Sequence, residues 1–222
     1  MSEWWTYRPS DFLMFAPRIY WRLFESINAA YWPLHVLIGA AVFAWAWRGE
    51  RWPRASGFGL AALFVLCGWA FLHERLTPIF WVAGVYAWAF AIQALLLTLI
   101  ALGGARGSGV AISAQARIAR VLALWTVLGH PMLALLAGRP WTQAEWPGLA
   151  PDPTALLALA WLVLAPTATG WRRALQRAAW IVPIAWCIAS AATLATMGEW
   201  QAIIMLAAPA LAVLFAMKKG LS

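Results

Sequence analysis

Between Arg75 and Arg106 the chain reads LTPIFWVAGVYAWAFAIQALLLTLIALGGA, from Leu76 to Ala105, without one charged side chain. At about 1.5 Å of rise per residue, roughly 20 apolar residues cross the hydrocarbon of a bilayer, and this run is longer. Water would not tolerate it as a surface, so it is expected to be a transmembrane helix. Gln93 is its one strong hydrogen-bonding side chain.

Working outward, the bulk composition agrees. Hydrophobic residues make up 64% of the 222, charged residues 11%, and the mean hydropathy is +0.73. Soluble domains carry about 25% charged residues, so the composition is that of a membrane protein. The apolar runs are continuous and do not alternate at period two, which excludes a β-barrel and leaves an all-α bundle. The net charge of +8 comes from basic residues in short loops. That is a topology signal, not a nucleic-acid face. Cys67 and Cys187 both fall within apolar runs, with no paired spacing, and read as small buried hydrophobes.

Seven apolar segments are expected to span, at 28–47, 57–71, 78–102, 118–137, 154–170, 178–198 and 201–217. Residues 1–27 form an amphipathic N-terminal segment ahead of this transmembrane domain (28–217), and a short basic tail (218–222) follows it. The start shows no signal-peptide pattern. Ser10 is placed to cap a first helical piece, and Pro17 suits the first turn of a second. Arg18, Arg22 and Glu25 oppose Ile19, Tyr20, Leu23, Phe24 and Ile27, so this helix is expected to lie in the interface. Trp4, Trp5, Tyr7, Tyr31 and Trp32 would anchor it at headgroup level. Eleven Lys and Arg residues fall on one side of this scheme and five on the other. The first side is therefore cytoplasmic, with the N-terminus outside and the C-terminus inside a bacterial inner membrane. The longest polar connection, GRPWTQAEWPGLAPDP at Gly138–Pro153, holds four prolines and two glycines and is expected to be an ordered turn region. The GGARGSG loop at Gly103–Gly109 lacks the ending of a phosphate loop.

Candidates for chemistry are sparse. His35, His73 and His130 all fall in the outer half of the expected membrane frame, with Glu74 beside His73. Imidazoles and a carboxylate can hold zinc, copper or haem iron, so these four residues are the candidate metal or haem site. Helix-to-helix bonding or an interfacial position of each histidine is the plain alternative, and a proton relay is a third reading. Gln93 either ties helices together, with Ser190 or Thr193 as partner, or lines a permeation path. Trp88 and Trp125, among 18 tryptophans, lie deep enough to pack on a lipid, quinone or pigment ring. Pro131, Pro166, Pro183 and Pro209 interrupt apolar segments and each frees a backbone carbonyl. No hydrolase or zinc-protease motif is present, and no pair of carboxylates is expected at membrane depth.

The opening MSEWWTYRPSDFLMFAPRIYWRLFE and the segment GLAPDPTALLALAWLVL at Gly148–Leu164 together resemble DUF6064, a family of uncharacterised bacterial integral membrane proteins. Pro151-Asp152-Pro153-Thr154 matches that family's P-x-P-T turn, with Asp152 where other members carry cysteine. Trp146-Pro147-Gly148 stands in for an aromatic-glycine pair. The resemblance covers most of the chain and implies the fold and the membrane location, but no activity. In the turn, Pro151 and Pro153 fix the chain, and Thr154 or Asp152 is expected to cap the helix that follows.

These readings favour a non-catalytic accessory or binding subunit. It would dock on other membrane protein subunits, or hold lipid or pigment through Trp-rich faces. Two alternatives stand beside it: a small-solute or metal-ion permease, and a haem- or metal-bearing redox protein. The bilayer itself is the one partner that composition demands.

Overall fold

The computed structural model describes residues 13–48, 53–103, 114–165 and 169–219. Among the described residues the fold is helical throughout, with no strand. The expected helix start at Ser10, the body of the Gly103–Gly109 loop, Pro166 and the last three residues lie outside them.

Helix α1 (Pro17–Ala30) begins on its proline and turns through 88° into α2 (Leu34–Arg48). It is two-faced: Tyr20, Trp21, Phe24, Ile27 and Asn28 are buried, while Arg18, Arg22 and Glu25 are exposed. Helix α3 (Pro53–Cys67) runs on through a π-helical stretch, Gly68–Leu76. Side chains add second hydrogen bonds to carbonyls of these wide turns; Leu72 O, for example, already accepts from Thr77 N–H at 2.9 Å. Thr77 Oγ1 donates to Leu72 O at 2.8 Å, and the Arg75 guanidinium donates to Ala70 O. Helix α4 (Ala83–Leu102) follows, then α5 (Ala114–Leu124), a π-helical turn at Trp125–Gly129, and α6 (His130–Leu136). Helix α7 (Pro151–Leu164) comes after the long connection; α8 (Trp171–Ala178), α9 (Ile181–Thr196) and α10 (Ala202–Lys219) complete the chain.

Four segments are long and apolar enough to cross a membrane: Arg54–Leu76, Ala83–Leu102, Ala114–Leu136 and Trp171–Thr196. The bent pair α1–α2 would make a fifth if it counted as one span. The quoted stretch of the sequence starts its helix at Ala83, five residues later than expected, because Thr77–Val82 form turns. The outer surface carries Trp47, Val65, Trp69, Val85, Trp88, Ile92, Leu95 and Ile203 in exposed positions. A soluble monomer rarely exposes so many large apolar side chains, whereas lipid tails cover them without cost.

Helix α7 is the axis of the bundle. Every residue from Pro151 to Val163 is buried. It is apolar all round, and such a helix belongs in the centre. Helices α3, α5, α9 and α10 pack around it. The connection that feeds it is buried as well, from Pro147 to Ala150 and at Ala144 and Glu145. It is the ordered turn region that its composition predicts, but one drawn partly into the interior. Two of its prolines, Pro147 and Pro151, bring no N–H into the interior, which lowers the number of backbone donors that must be satisfied there.

Gln93 has a definite partner. Its Nε2 donates to Ala179 O at 2.9 Å. Ala179 stands four residues before Pro183, so its carbonyl is the one that the proline ring deprives of a helical N–H. The side chain of α4 thus supplies the hydrogen bond that Pro183 removes from the α8–α9 junction. Ser190 and Thr193 bond elsewhere, to Asp152 and to Ala189 O. Gln93→Leu is expected to cost about 1–2 kcal/mol, the usual penalty for a buried acceptor left without a donor. In a Pro183→Ala background, which restores the N–H, the same substitution should cost much less. Thermal unfolding in mild detergent across this double-mutant cycle checks it.

Candidate functional site

Three side chains with metal-binding atoms meet where the buried connection enters the bundle. One nitrogen of His130 and one oxygen each of Glu145 and Asp152 lie within 4.8 Å of one another, and all three residues are buried. Each is delivered by a different local device.

His130 is the first residue of α6. Its N–H bonds Trp125 O, five residues back, which is π-helical geometry. Pro131 comes next and offers no N–H, so the backbone cannot continue its normal ladder here. The extra residue in the turn rotates the imidazole inward, a role that such insertions often play at functional sites. Gly129 is needed for the same turn, since a Cβ there would overlap the Trp125 indole.

Glu145 hangs from the buried connection. Gly138, at φ +71°, ends α6, and Arg139 N–H closes the cap onto Ala134 O at 2.8 Å. Asn28 of α1 then holds the descending chain, donating through Nδ2 to Thr142 O and Ala144 O at 2.9 and 2.8 Å. Gly148, at φ +80°, makes the final turn into α7, and its N–H donates to Thr154 Oγ1 at 2.7 Å.

Asp152 sits in the first turn of α7. It does not cap that helix, and neither does Thr154; the cap position, Ala150, makes no side-chain hydrogen bond. With prolines at 151 and 153, the first turn has few N–H groups to cap. Both Asp152 oxygens instead face α9. Trp186 Nε1 donates to Oδ1 and Ser190 Oγ to Oδ2, each at 2.7 Å. Thr154 Oγ1 donates to Ala150 O at 2.6 Å while accepting from Gly148. Pro151, Pro153 and Thr154 therefore shape the approach to the site, and Pro131 shapes the turn at His130.

The charges do not cancel. Glu145 Oε1 lies 3.7 Å from Arg139 Nη2, and its Oε2 lies 3.5 Å from His130 Nε2. Arg139 Nη2 also donates to Gln201 Oε1 at 3.2 Å, and its guanidinium covers the Trp21 ring at 3.4 Å. Burial lowers the proton affinity of this guanidinium, with the Glu145 carboxylate acting against that, and it stays charged. Burial, and then the Asp152 and Glu145 carboxylates, push the Tyr20 phenol of α1 well above its ordinary value, so it remains protonated beside the site. If both carboxylates are ionised and His130 is neutral, the one guanidinium leaves an excess negative charge. At a separation under 5 Å the carboxylates repel by about 3 kcal/mol, taking an effective dielectric constant of roughly 20. Neither nitrogen of His130 makes a hydrogen bond among the described residues, although the residue is only 3% exposed. A buried imidazole beside two carboxylates with no hydrogen-bond partner has the form of a ligand set for a cation.

Of the four residues expected from the sequence to form a metal or haem site, only His130 belongs to this group. His35 is buried between the rings of Trp32 and Trp146, with centroids 4.9 and 5.1 Å away. His73 is exposed and lies against Trp69 at 4.8 Å. Glu74 accepts from Trp69 Nε1 at 2.9 Å and pairs with Arg75 at 3.5 Å. Trp88 faces outward, 74% exposed, and Trp125 lies over Gly129 with its Nε1 buried and unpartnered. Glu145 and Asp152, 4% and 2% exposed, share the protein interior, a meeting of carboxylates that their positions in the chain do not reveal. Arg139 also escaped notice. The signal was the apolar, proline-bearing W-P-G-L-A-P context of the two acids, which suits an interior better than a loop tip.

The fold and the site together define a class: a membrane-compatible helical bundle with an imidazole–dicarboxylate cluster at its axis. Comparison with known proteins adds no closer identity, since no family model, curated protein or solved structure matches the chain.

Proposed function

We propose that this chain is an integral protein of a bacterial inner membrane that holds one divalent transition-metal ion at His130, Glu145 and Asp152. The single observation that carries the reading is the buried His130 imidazole, with no hydrogen-bond partner, facing two carboxylates. One imidazole and two carboxylate oxygens suit zinc, manganese or iron(II). Three protein ligands leave coordination positions open, as in sites that bind an exchangeable ligand. Trp186 and Ser190 orient the Asp152 ligand, and Arg139 orients Glu145, as outer partners of metal sites do. Haem is a poorer fit, because its iron takes an axial ligand and has no use for two carboxylates at the same point.

A resident ion suits the geometry better than a transported one. Beyond Thr154, α7 offers Ala155, Leu156, Leu159 and Leu162, all buried, toward the opposite end of the bundle. These are apolar contacts, not a polar path. The arginine count supports a seven-helix arrangement with the site on the outer side, the N-terminus outside and α1 lying in the interface above it. Helices α2 and α7, at 15 and 14 residues, are shorter than the hydrocarbon is thick. The buried connection before α7 makes up part of that depth, a use of non-helical backbone that membranes tolerate inside protein. Membership of DUF6064 remains part of this proposal, carried by the P-x-P-T turn that brings Asp152 to the ion.

A second role is favoured by α4, only 28% of whose apolar window is buried, against 50% for Arg54–Leu76. That open, Trp88-bearing face supports docking on another membrane subunit.

Elemental analysis of gently purified protein, equilibrated with zinc, manganese or iron(II) and then desalted, tests the metal reading. About one ion per chain is expected. His130→Ala and Asp152→Asn should each lower the affinity at least 100-fold while the helical circular dichroism is kept. Metal at background level in the wild type, or retained equally in both variants, contradicts the reading.

A further inference from the structure

We propose that the ion site takes a small carboxylate monoanion as its exchangeable ligand, one oxygen on the metal and the other on the Arg139 guanidinium. The inference rests on the metal reading above and names the chemical class that fills the open coordination positions.

Arg139 has more donors than partners. A guanidinium carries five N–H groups. Nη2 faces Gln201 Oε1 at 3.2 Å and Glu145 Oε1 at 3.7 Å. Nε and Nη1 carry the other three N–H groups, and both atoms are buried with no hydrogen-bond partner among the described residues. The side chain as a whole is 9% exposed. A buried guanidinium ordinarily spends such donors on a planar carboxylate, through two parallel hydrogen bonds.

The surroundings hold this group in place. Gly138 and the cap from Arg139 N–H to Ala134 O fix its backbone at the end of α6. The Trp21 ring covers one face of the guanidinium at 3.4 Å. Gln201, 2% exposed, is itself anchored, because its Nε2 donates to Leu133 O at 3.1 Å and so turns Oε1 to Arg139. An acceptor for Nε and Nη1 therefore has to come from outside the chain.

Place and charge select that acceptor. Glu145 reaches from the guanidinium to the ion site, with Oε1 toward Arg139 and Oε2 3.5 Å from His130 Nε2. One carboxylate thus bridges the two, and a second beside it can bridge them from an open coordination position. A bound ion keeps its carboxylate ligands deprotonated and its imidazole neutral. The two carboxylates cancel a divalent ion, and the guanidinium is left as one net positive charge. Glu199, half-buried, acts on Arg139 through space but forms no ion pair with it among the described residues. A planar monoanion restores neutrality, a phosphate dianion overshoots it, and a neutral ligand leaves the guanidinium unpaired. None of the three metal-binding residues is more than 4% exposed, so the ligand is of the size of formate, acetate or bicarbonate.

The full-length protein, loaded with manganese(II) in mild detergent, is titrated with 13C-formate or 13C-bicarbonate and followed by electron–nuclear double resonance, which detects a carbon held through oxygen on the ion. One saturable coupled carbon per ion is expected. Tighter binding of formate assigns an organic carboxylate, and tighter binding of bicarbonate assigns an inorganic one; either supports the inference. Arg139→Lys keeps the charge but loses the fork, and should weaken binding by about 10-fold or more with manganese still held. Trp21→Leu leaves Arg139 and Glu145 in place but unclamps the guanidinium, and should show a loss in the same direction. The inference is overturned if no carbon couples to bound manganese, if phosphate binds more tightly than both labelled anions, or if both variants bind them as the wild type does. A wild type that takes up no manganese, zinc or iron(II) overturns the metal reading and this inference together, whereas one that holds manganese without either anion overturns this inference alone.

Discussion

Glu145→Ala is expected to be among the most damaging single substitutions in this protein, costing about 3–5 kcal/mol of stability. Glu145 Oε1 lies 3.7 Å from Arg139 Nη2, and the two side chains are 5% and 9% exposed. Removing the carboxylate leaves a buried guanidinium whose Nε and Nη1 already lack partners, with only Gln201 and the Trp21 ring to hold it. Removing both charges together is a different experiment. Glu145→Gln with Arg139→Met deletes the desolvation cost of each ion along with their attraction, so the double variant should recover most of the loss. Unfolding followed by tryptophan fluorescence in bicelles, with and without added zinc, measures both. A single-variant cost below 1 kcal/mol would mean that water reaches this pair and that the connection is not buried in the bundle.

Gly148→Ala should cost about 2–4 kcal/mol, and its two causes can be separated. The backbone there has φ +80°, a region that costs an L-residue roughly 1–2 kcal/mol. The new Cβ would also stand 2.7 Å from Leu63 Cδ2, and overpacking of this kind typically costs 1–3 kcal/mol. Leu63→Ala relieves the second cost and leaves the first. Gly148 lies between Glu145 and Asp152 in the chain, so the strain should also appear as weaker metal binding. In the Gly148→Ala/Leu63→Ala variant, part of the stability should return.

Much of the fold was legible before the structure. The Leu76–Ala105 run announces its helix because no charge interrupts it over more than a bilayer's thickness, whereas ALLALAWLVL, which was expected only to span, turns out to lie at the axis, where its lack of a polar face suits it. The site was harder to read. Glu145 and Asp152 looked like acids of an exterior loop, since Gly and Pro ordinarily punctuate surfaces. Here the prolines do the reverse: they remove the donors that would otherwise keep the segment in water. Histidines could be ordered along the chain but not matched to neighbours, because His35 and His130 differ only in which helix each faces. Gln93 and Pro183 were each visible alone. That the one repairs the other depends on α4 lying against the α8–α9 junction, which no spacing along the chain reveals.

X-ray absorption at the K-edge of zinc bound to the purified protein tests the central claim most directly. The account predicts a first shell of nitrogen and oxygen only, at about 2.0–2.2 Å, with the outer scattering of a single imidazole, and its loss in His130→Ala. A shell containing sulfur, scattering from two or more imidazoles, or a spectrum unchanged by His130→Ala would contradict it.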